Sequence, residues 1–302
     1  MDSLPAYGRN IAEAVLPTFQ SYAPLLIAQS TAINSTAKKT YRYGSLPRQS
    51  LDVYYPSQNV VPELQEKLII FLYGGGFAQG DKTLESLPLV YANVGHFFAG
   101  KHGVETIVMD YRLLSHGARF PSGGEDLQVA MYWVQSRYQG KSITLLGTSA
   151  GAIHLSTYLL GAGFKVSRDR LLQGSNNKLV GAVLANMPIG FEGADRTTLQ
   201  AAKSYFGDED GKHAIALLQQ AKLKGDFSLP HILVLNSELD PDFVKAYNKT
   251  LMEELEGLNA SSVECKEIKG HNHFSPLLAL GTGIDKEEDW GHQLISWVSS
   301  KI

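Results

Sequence analysis

At 302 residues with 44% apolar content, the chain is long enough to bury a substantial core as one large domain or two small ones. Its formal net charge is −3 and no stretch clusters lysine or arginine, so nucleic acid is not an expected partner. The single cysteine excludes an internal disulfide, which suits a reducing compartment and a cytoplasmic location.

The first residues, Met1-Asp2-Ser3-Leu4-Pro5, lack the basic and apolar regions of a secretory leader. No apolar run reaches the length of a bilayer span, and no membrane partner is expected. The sequons at Asn34, Asn248 and Asn259 then read as chance matches. Residues 8–35 carry Ile11, Val15, Phe19, Tyr22 and Leu26 at helical spacing, which predicts one or two helices. They are either packed outside the core or folded over a site. Strands are expected at 40–46, 50–55, 67–73, 104–110, 142–147, 180–186, 231–236 and 261–268. Helical stripes alternate with the later strands: Leu127, Ala130, Met131 and Val134; Phe243, Tyr247, Leu251 and Leu255; Trp290, Leu294, Trp297 and Val298. That alternation predicts βαβ units, hence an α/β fold with a mostly parallel sheet of about eight strands and helices on both faces. Cys265 falls in the last strand and reads as a small buried hydrophobe.

Residues 1–39 thus form a helical segment ahead of an α/β domain over 40–302. Residues 188–228 interrupt the alternation with two polar helical stretches, near 198–206 and 212–222. An excursion of that length in a compact domain is usually functional. It would project above the strand ends, with Tyr205 and Phe206 as candidates to line a pocket.

Four loops at strand ends carry the chemistry. Tyr73-Gly74-Gly75-Gly76-Phe77 follows the apolar run 68–72 and brings bare N–H groups within reach of a ligand. A phosphate loop is excluded, because Gly80 is followed by Asp81-Lys82 rather than Lys-Ser or Lys-Thr. Gly147-Thr148-Ser149-Ala150-Gly151 fits G-x-S-x-G between a strand and a helix, as a nucleophile elbow requires. The amides of Gly75, Gly76 and Ala150 would then hold an oxyanion. Asp240 ends the strand 231–236, with Glu238 and Asp242 as weaker alternatives. The loop Lys269-Gly270-His271-Asn272-His273-Phe274-Ser275 offers two histidines as general base. A His-x-His pair could bind metal, but acidic or cysteine partners at metal spacing are lacking, so no metal or other cofactor is expected.

The order Ser149, Asp240, then histidine is that of α/β-hydrolases. Over roughly residues 40–300 the chain resembles the hormone-sensitive-lipase-like esterases and related small fungal and bacterial esterases. The glycine triplet is similar to that family's His-Gly-Gly-Gly motif, and 147–151 to its Gly-Thr-Ser-Ala-Gly elbow. Asp110-Tyr111-Arg112-Leu113 and Phe120-Pro121, with Glu125 or Asp126 after them, resemble its Tyr-Arg-Leu…Phe-Pro segment. Gly80-Asp81-Lys82 is similar to arylformamidase and feruloyl-esterase relatives. The resemblance implies that the segment before the first strand, within residues 1–39, folds over the site as part of a small helical cap, and 188–228, by its position above the strand ends, reads as the cap's second part. It also implies His273, followed by Phe274, as base, with His271 bracing the loop or lying at the rim. Tyr73 departs from the family's histidine at that position. The expected activity is hydrolysis of a small or medium carboxylic ester through Ser149, His273 and Asp240. Amides, formamides or lactones are the nearest alternatives, and a non-hydrolytic binding protein or cyclase on this fold is a further one.

Overall fold

The computed structural model describes residues 1–57, 61–207, 213–225 and 227–301. The apolar runs become eight strands: β1 (Lys38–Arg42), β2 (Ser50–Tyr54), β3 (Lys67–Leu72), β4 (Glu105–Met109), β5 (Ser142–Thr148), β6 (Lys178–Ala185), β7 (Ser228–Ser237) and β8 (Asn259–Ile268). They form one sheet in the order β1-β2-β4-β3-β5-β6-β7-β8. Only β1–β2 and β2–β4 pair antiparallel. From β4 to β8 every pairing is parallel, which puts the carboxyl ends of β3, β5, β6, β7 and β8 on one edge. Every residue of β3 is buried, as expected of a central strand covered on both faces.

The helices of eight or more residues are α1 (Ile11–Ala28), α2 (Ser122–Arg137), α3 (Ala150–Leu160), α4 (Lys165–Leu172), α5 (Arg196–Phe206), α6 (Ala214–Lys224), α7 (Asn248–Glu256) and α8 (Asp285–Ser299). Asn10 starts α1, its Oδ1 accepting from the N–H groups of Ala12 and Glu13 at 2.9 and 3.2 Å. The predicted stripe divides along α1: Tyr22 and Leu26 join the core, while Ile11, Val15 and Phe19 face a pocket. By length and composition α1 is apolar enough to cross a membrane, with mean hydropathy 1.2 over its 18 residues, so the expectation drawn from uninterrupted runs was too strict. Here α1 packs through Ala14, Thr18, Tyr22 and Leu26. The segment expected to be helical near 198–206 starts two residues earlier, where the Asp195 carboxylate caps α5 through Thr197 and Thr198. The start expected at Lys212 lies outside the described residues, and α6 runs from Ala214. The stripe from Phe243 to Leu255 is broken, since a short turn over Asp242–Lys245 precedes α7 and Tyr247 sits at the break.

Cys265 is exposed, contrary to expectation. β8 is the sheet's edge, paired on one side by β7, so a strand position there is not closed in as it would be at the centre.

The close approach of β3, β5 and α3 fixes the geometry at the sheet edge. A Cβ on Gly147 would lie 2.7 Å from backbone atoms of Ala152, and one on Gly151 would overlap the carbonyl oxygens of Leu72 and Tyr73. Neither contact can yield without moving a backbone. Gly151→Ala should therefore destabilise the protein by roughly 1–3 kcal/mol or more, the range for overpacking a tight contact. Denaturant unfolding measures this, and an unchanged midpoint would mean that α3 shifts freely away from β3.

Candidate active site

Ser149 stands between β5 and α3 with φ 51° and ψ −121°. A non-glycine residue in left-handed backbone carries about 1–2 kcal/mol of strain. Its N–H donates to the Ala185 carbonyl at 2.9 Å, and its carbonyl accepts from Ala152 and Ile153 as the helix begins.

His273 follows β8, and its Nε2 lies 3.0 Å from Ser149 Oγ. Its Nδ1 is 2.8 Å from Asp240 Oδ1. A carboxylate can only accept, so Nδ1 carries the proton and Nε2 is free to accept from the serine hydroxyl. Asp240 is fully buried, and its Oδ2 accepts from the Ser237 N–H at 2.8 Å. Neither of the two weaker acidic candidates bonds to His273. Glu238 accepts from the Gly270 N–H at 2.8 Å, and the Asp242 side chain is 97% exposed. His271 points away from Ser149, its Nδ1 2.9 Å from Ser275 Oγ, and burial pushes its pKa down to about 4.

The glycine loop lies against the nucleophile: a Cβ on Gly74 would be 3.0 Å from Ser149 Cβ. Gly75, Gly76 and Phe77 have φ of 132°, 57° and 66° in succession. The amides of Gly75, Gly76 and Ala150 bond to no acceptor among the described residues and remain as free donors. A side chain at Gly75 would strike the Gln79 carbonyl oxygen, so that glycine serves the turn itself rather than clearance for a ligand.

Several residues that build this site carry no sequence motif. Arg48 is the foremost. Its Nη2 reaches Asp110 Oδ1 at 2.5 Å and both the Tyr73 hydroxyl and the Gly80 carbonyl at 2.8 Å, while its Nε donates to the Tyr111 carbonyl. The Tyr73 hydroxyl also donates to Asp110. The glycine loop is thus tied to the end of β4 from behind, with Tyr73 and Arg48 together where the similar family has histidine. Burial raises Asp110 to about 6, partly offset by Tyr73 and Arg48. Asn186 is the second. At φ 50° it donates to the Ser237 hydroxyl and the His273 carbonyl and accepts the Ser237 N–H, joining the ends of β6 and β7 to the histidine loop. An asparagine just after a buried strand was the only signal, since asparagine tolerates left-handed backbone better than most residues. Of the two acidic residues after Phe120-Pro121, Asp126 is the buried one and binds Arg112 and Gln49.

The pocket above Ser149 has a volume of about 450 Å³. Its walls include Ile11, Val15 and Phe19 of α1, Phe77, Phe191 and Phe274. Tyr205 and Phe206 do not line it: Tyr205 is 1% exposed, because its ring stacks flat behind Phe77 at 4.2 Å. A larger cavity of about 780 Å³ beside β8 and α8 touches none of Ser149, Asp240 and His273. Asp285, Glu288 and His292 bring potential ligand atoms within 4.8 Å of one another, but the Glu288 carboxylate is already held by Lys101 and the Gly283 N–H.

Residues 51–185 match the BD-FAE family model, a span that contains the glycine loop and Ser149 and ends before Asp240 and His273. Mouse cholinesterase is 36% identical over 107 residues, which are 31% of this chain and 17% of that protein; the chain therefore spans under a fifth of its relative's length. Among solved structures, the hyperthermophilic esterase of Pyrobaculum calidifontis aligns with TM-score 0.64 and 19% identity, over 93% of this chain and 92% of its own. An esterase of the bacterial hormone-sensitive lipase family aligns with TM-score 0.62 and 15% identity, over 94% and 96%. The sheet and its helices are thus those of an α/β-hydrolase fold.

Removing the Tyr73 hydroxyl leaves Arg48 and Asp110 paired, whereas removing the guanidinium leaves a buried carboxylate and the Gly80 carbonyl short of a donor. Arg48→Met should therefore lower both Tm and the kcat of any Ser149-dependent reaction more than Tyr73→Phe does. Equal effects would mean that the loop is not held through Arg48.

The buried histidines set a pH dependence. His271 and His154 have pKa values lowered from 6.5 to about 4 and about 3 by burial. As pH falls below 6.5 the unfolded chain takes up protons that the folded one refuses, so stability is lost. Asp110, raised from 3.8, works the other way as one group against two. Tm at pH 5 should lie below Tm at pH 7, and a rise on acidification would contradict this assignment.

Proposed function

We propose that this chain, which has an α/β-hydrolase fold, hydrolyses a small or medium carboxylic ester through an acyl-serine intermediate. The observation that carries the proposal is the continuous chain from Ser149 Oγ to His273 Nε2 at 3.0 Å and from His273 Nδ1 to Asp240 Oδ1 at 2.8 Å. Ser149 attacks the ester carbonyl while His273 Nε2 takes its proton. The carbonyl oxygen becomes an oxyanion facing the amides of Gly75, Gly76 and Ala150, where the start of α3 favours negative charge. Collapse breaks the bond to the alcohol oxygen, which receives the proton from His273. Water, deprotonated by the same nitrogen, then releases the acid and restores Ser149. Asp240 holds the ring in one tautomer and stabilises its cation.

A pocket of about 450 Å³ with aromatic and aliphatic walls supports a modest, uncharged substrate free in solution, rather than nucleic acid or a membrane lipid. Residues 188–201 of the inserted segment and α1 act as the cap that walls it. A cytoplasmic location is proposed on the single cysteine, which excludes an internal disulfide.

Ser149→Ala should lower kcat for p-nitrophenyl butyrate by roughly 10⁴-fold to 10⁶-fold while leaving Tm near that of the parent. It should also abolish labelling by a fluorophosphonate. Activity within tenfold of the parent would end the serine-nucleophile reading. Across p-nitrophenyl esters of rising acyl length, kcat/KM should decline gradually beyond medium chains. An aryl formamide or a lactone turned over much faster than every ester would move the assignment to that class.

A further inference from the structure

Tyr205 lies on α5 in the inserted segment, far from the glycine loop in sequence, yet it is the side chain against which that loop is built. Its ring is parallel to Phe77 within 4°, centroids 4.2 Å apart. Phe206 meets the same ring edge-on at 5.7 Å. Phe77 is the one non-glycine residue in the run of three left-handed residues that begins at Gly75. Glycine would adopt that backbone unaided, but a phenylalanine must be held there. Phe77 is restrained by the flat stack on Tyr205, by edge contacts with His154, Phe191 and Phe206 at 5.6–6.5 Å, and by the donation from the Leu114 N–H to its carbonyl at 2.9 Å; of the four rings only Tyr205 lies flat against it.

Tyr205 is in turn fixed from the other side. Its hydroxyl accepts from the Gly123 N–H at 3.3 Å and lies within hydrogen-bond distance of His154 Nδ1, at 3.2 Å. Its carbonyl accepts from the Phe120 N–H at 2.9 Å. His154 belongs to α3, the helix that starts at the nucleophile, and is fully buried. Burial keeps the phenol protonated and the imidazole neutral, so this bond persists across the working pH range. One tyrosine therefore joins three parts of the site: the inserted helix, the nucleophile helix and the glycine loop.

Resting on the serine-hydrolase reading above, we propose that Tyr205 is a positioning residue for the oxyanion loop. Through its ring it holds Phe77 in the left-handed conformation that aims the preceding amides of Gly76 and Gly75. Seating of the inserted helix and stabilisation of the transition state are then coupled through this aromatic stack. The ring carries this role, and the hydroxyl only orients the ring.

The test compares Tyr205→Phe, which keeps the ring, with Tyr205→Met, which fills similar volume without a flat face. Each is assayed on p-nitrophenyl butyrate at a temperature where circular dichroism shows it folded. Tyr205→Met should lower kcat roughly 10-fold to 100-fold, the scale of a small misplacement of catalytic groups, with KM within about threefold. Its affinity for a trifluoromethyl ketone, which forms a tetrahedral adduct with the serine, should weaken by the same factor as kcat. Tyr205→Phe should restore kcat to within about threefold of the parent. A merely structural tyrosine would lower Tm without separating kcat from KM or weakening the ketone. That result, an unchanged kcat in Tyr205→Met, or a Tyr205→Phe as impaired as Tyr205→Met would each overturn the proposal. A parent protein that neither hydrolyses esters nor takes the fluorophosphonate would instead overturn the hydrolase reading on which it rests.

Discussion

A serine at φ 51° has its Cβ crowded toward the following carbonyl, and a free turn would relax to ordinary backbone. Here relaxation is blocked. β5 is held between β3 and β6, and α3 begins immediately after Ser149, so the chain must reverse within one residue. Glycines at 147 and 151 let the helix lie against the carbonyls of Leu72 and Tyr73 without a clash. The strain at one residue is offset by the burial of two central strands and a wholly buried helix, as expected where local strain persists at a functional site. In return, the hydroxyl is displayed at the sheet edge with little freedom to turn away.

Everything else in the site is arranged to meet that fixed point. The parallel strands deliver the glycine loop, Asp240 and His273 to the same edge, which is where open α/β sheets place their sites. Short loops would bring the groups near one another but would not hold them to a few tenths of an ångström. Arg48, Asn186 and Tyr205 supply that restraint by joining elements that are remote in sequence. Arg48 ties the glycine loop to β4, Asn186 ties the ends of β6 and β7 to the histidine loop, and Tyr205 ties an inserted helix to Phe77. Their partners are backbone carbonyls, carboxylates and rings that are themselves buried, so these contacts are little screened by water.

The division between what the sequence shows and what it hides follows from range. Ser149, Asp240 and His273 each stand just beyond a strand that the sequence predicts, and local pattern is enough to mark such a place; they are also the side chains the fold brings together. Strand limits agree within a few residues for the same reason. Arg48 has no local signature, because its meaning depends on partners 25 to 63 positions away. Tyr205 reads locally as an aromatic on an amphipathic helix, and only the fold shows that its ring backs Phe77 instead of facing the pocket. Cys265 shows the same limit: an alternating strand pattern cannot tell an edge strand from a central one, since strand order is a property of the whole sheet.

The pocket and the catalytic groups are therefore encoded in different ways. The catalytic groups sit at the ends of sheet strands, on elements whose positions are over-determined by pairing and packing. The walls come in part from α1, ahead of the first strand, and from the segment around Phe191 and α5, both attached by loops. Wall residues such as Val15 and Phe19 are half-buried and touch no member of the triad through a hydrogen bond, so substitution there can change which substrate fits without disturbing the chemistry. Phe77 is the exception, because it belongs to both sets: its ring faces the pocket and its backbone continues the glycine loop. A substrate that presses on that ring presses on the alignment of the oxyanion donors, which makes the rigidity behind Phe77 a condition for separating substrate choice from catalysis.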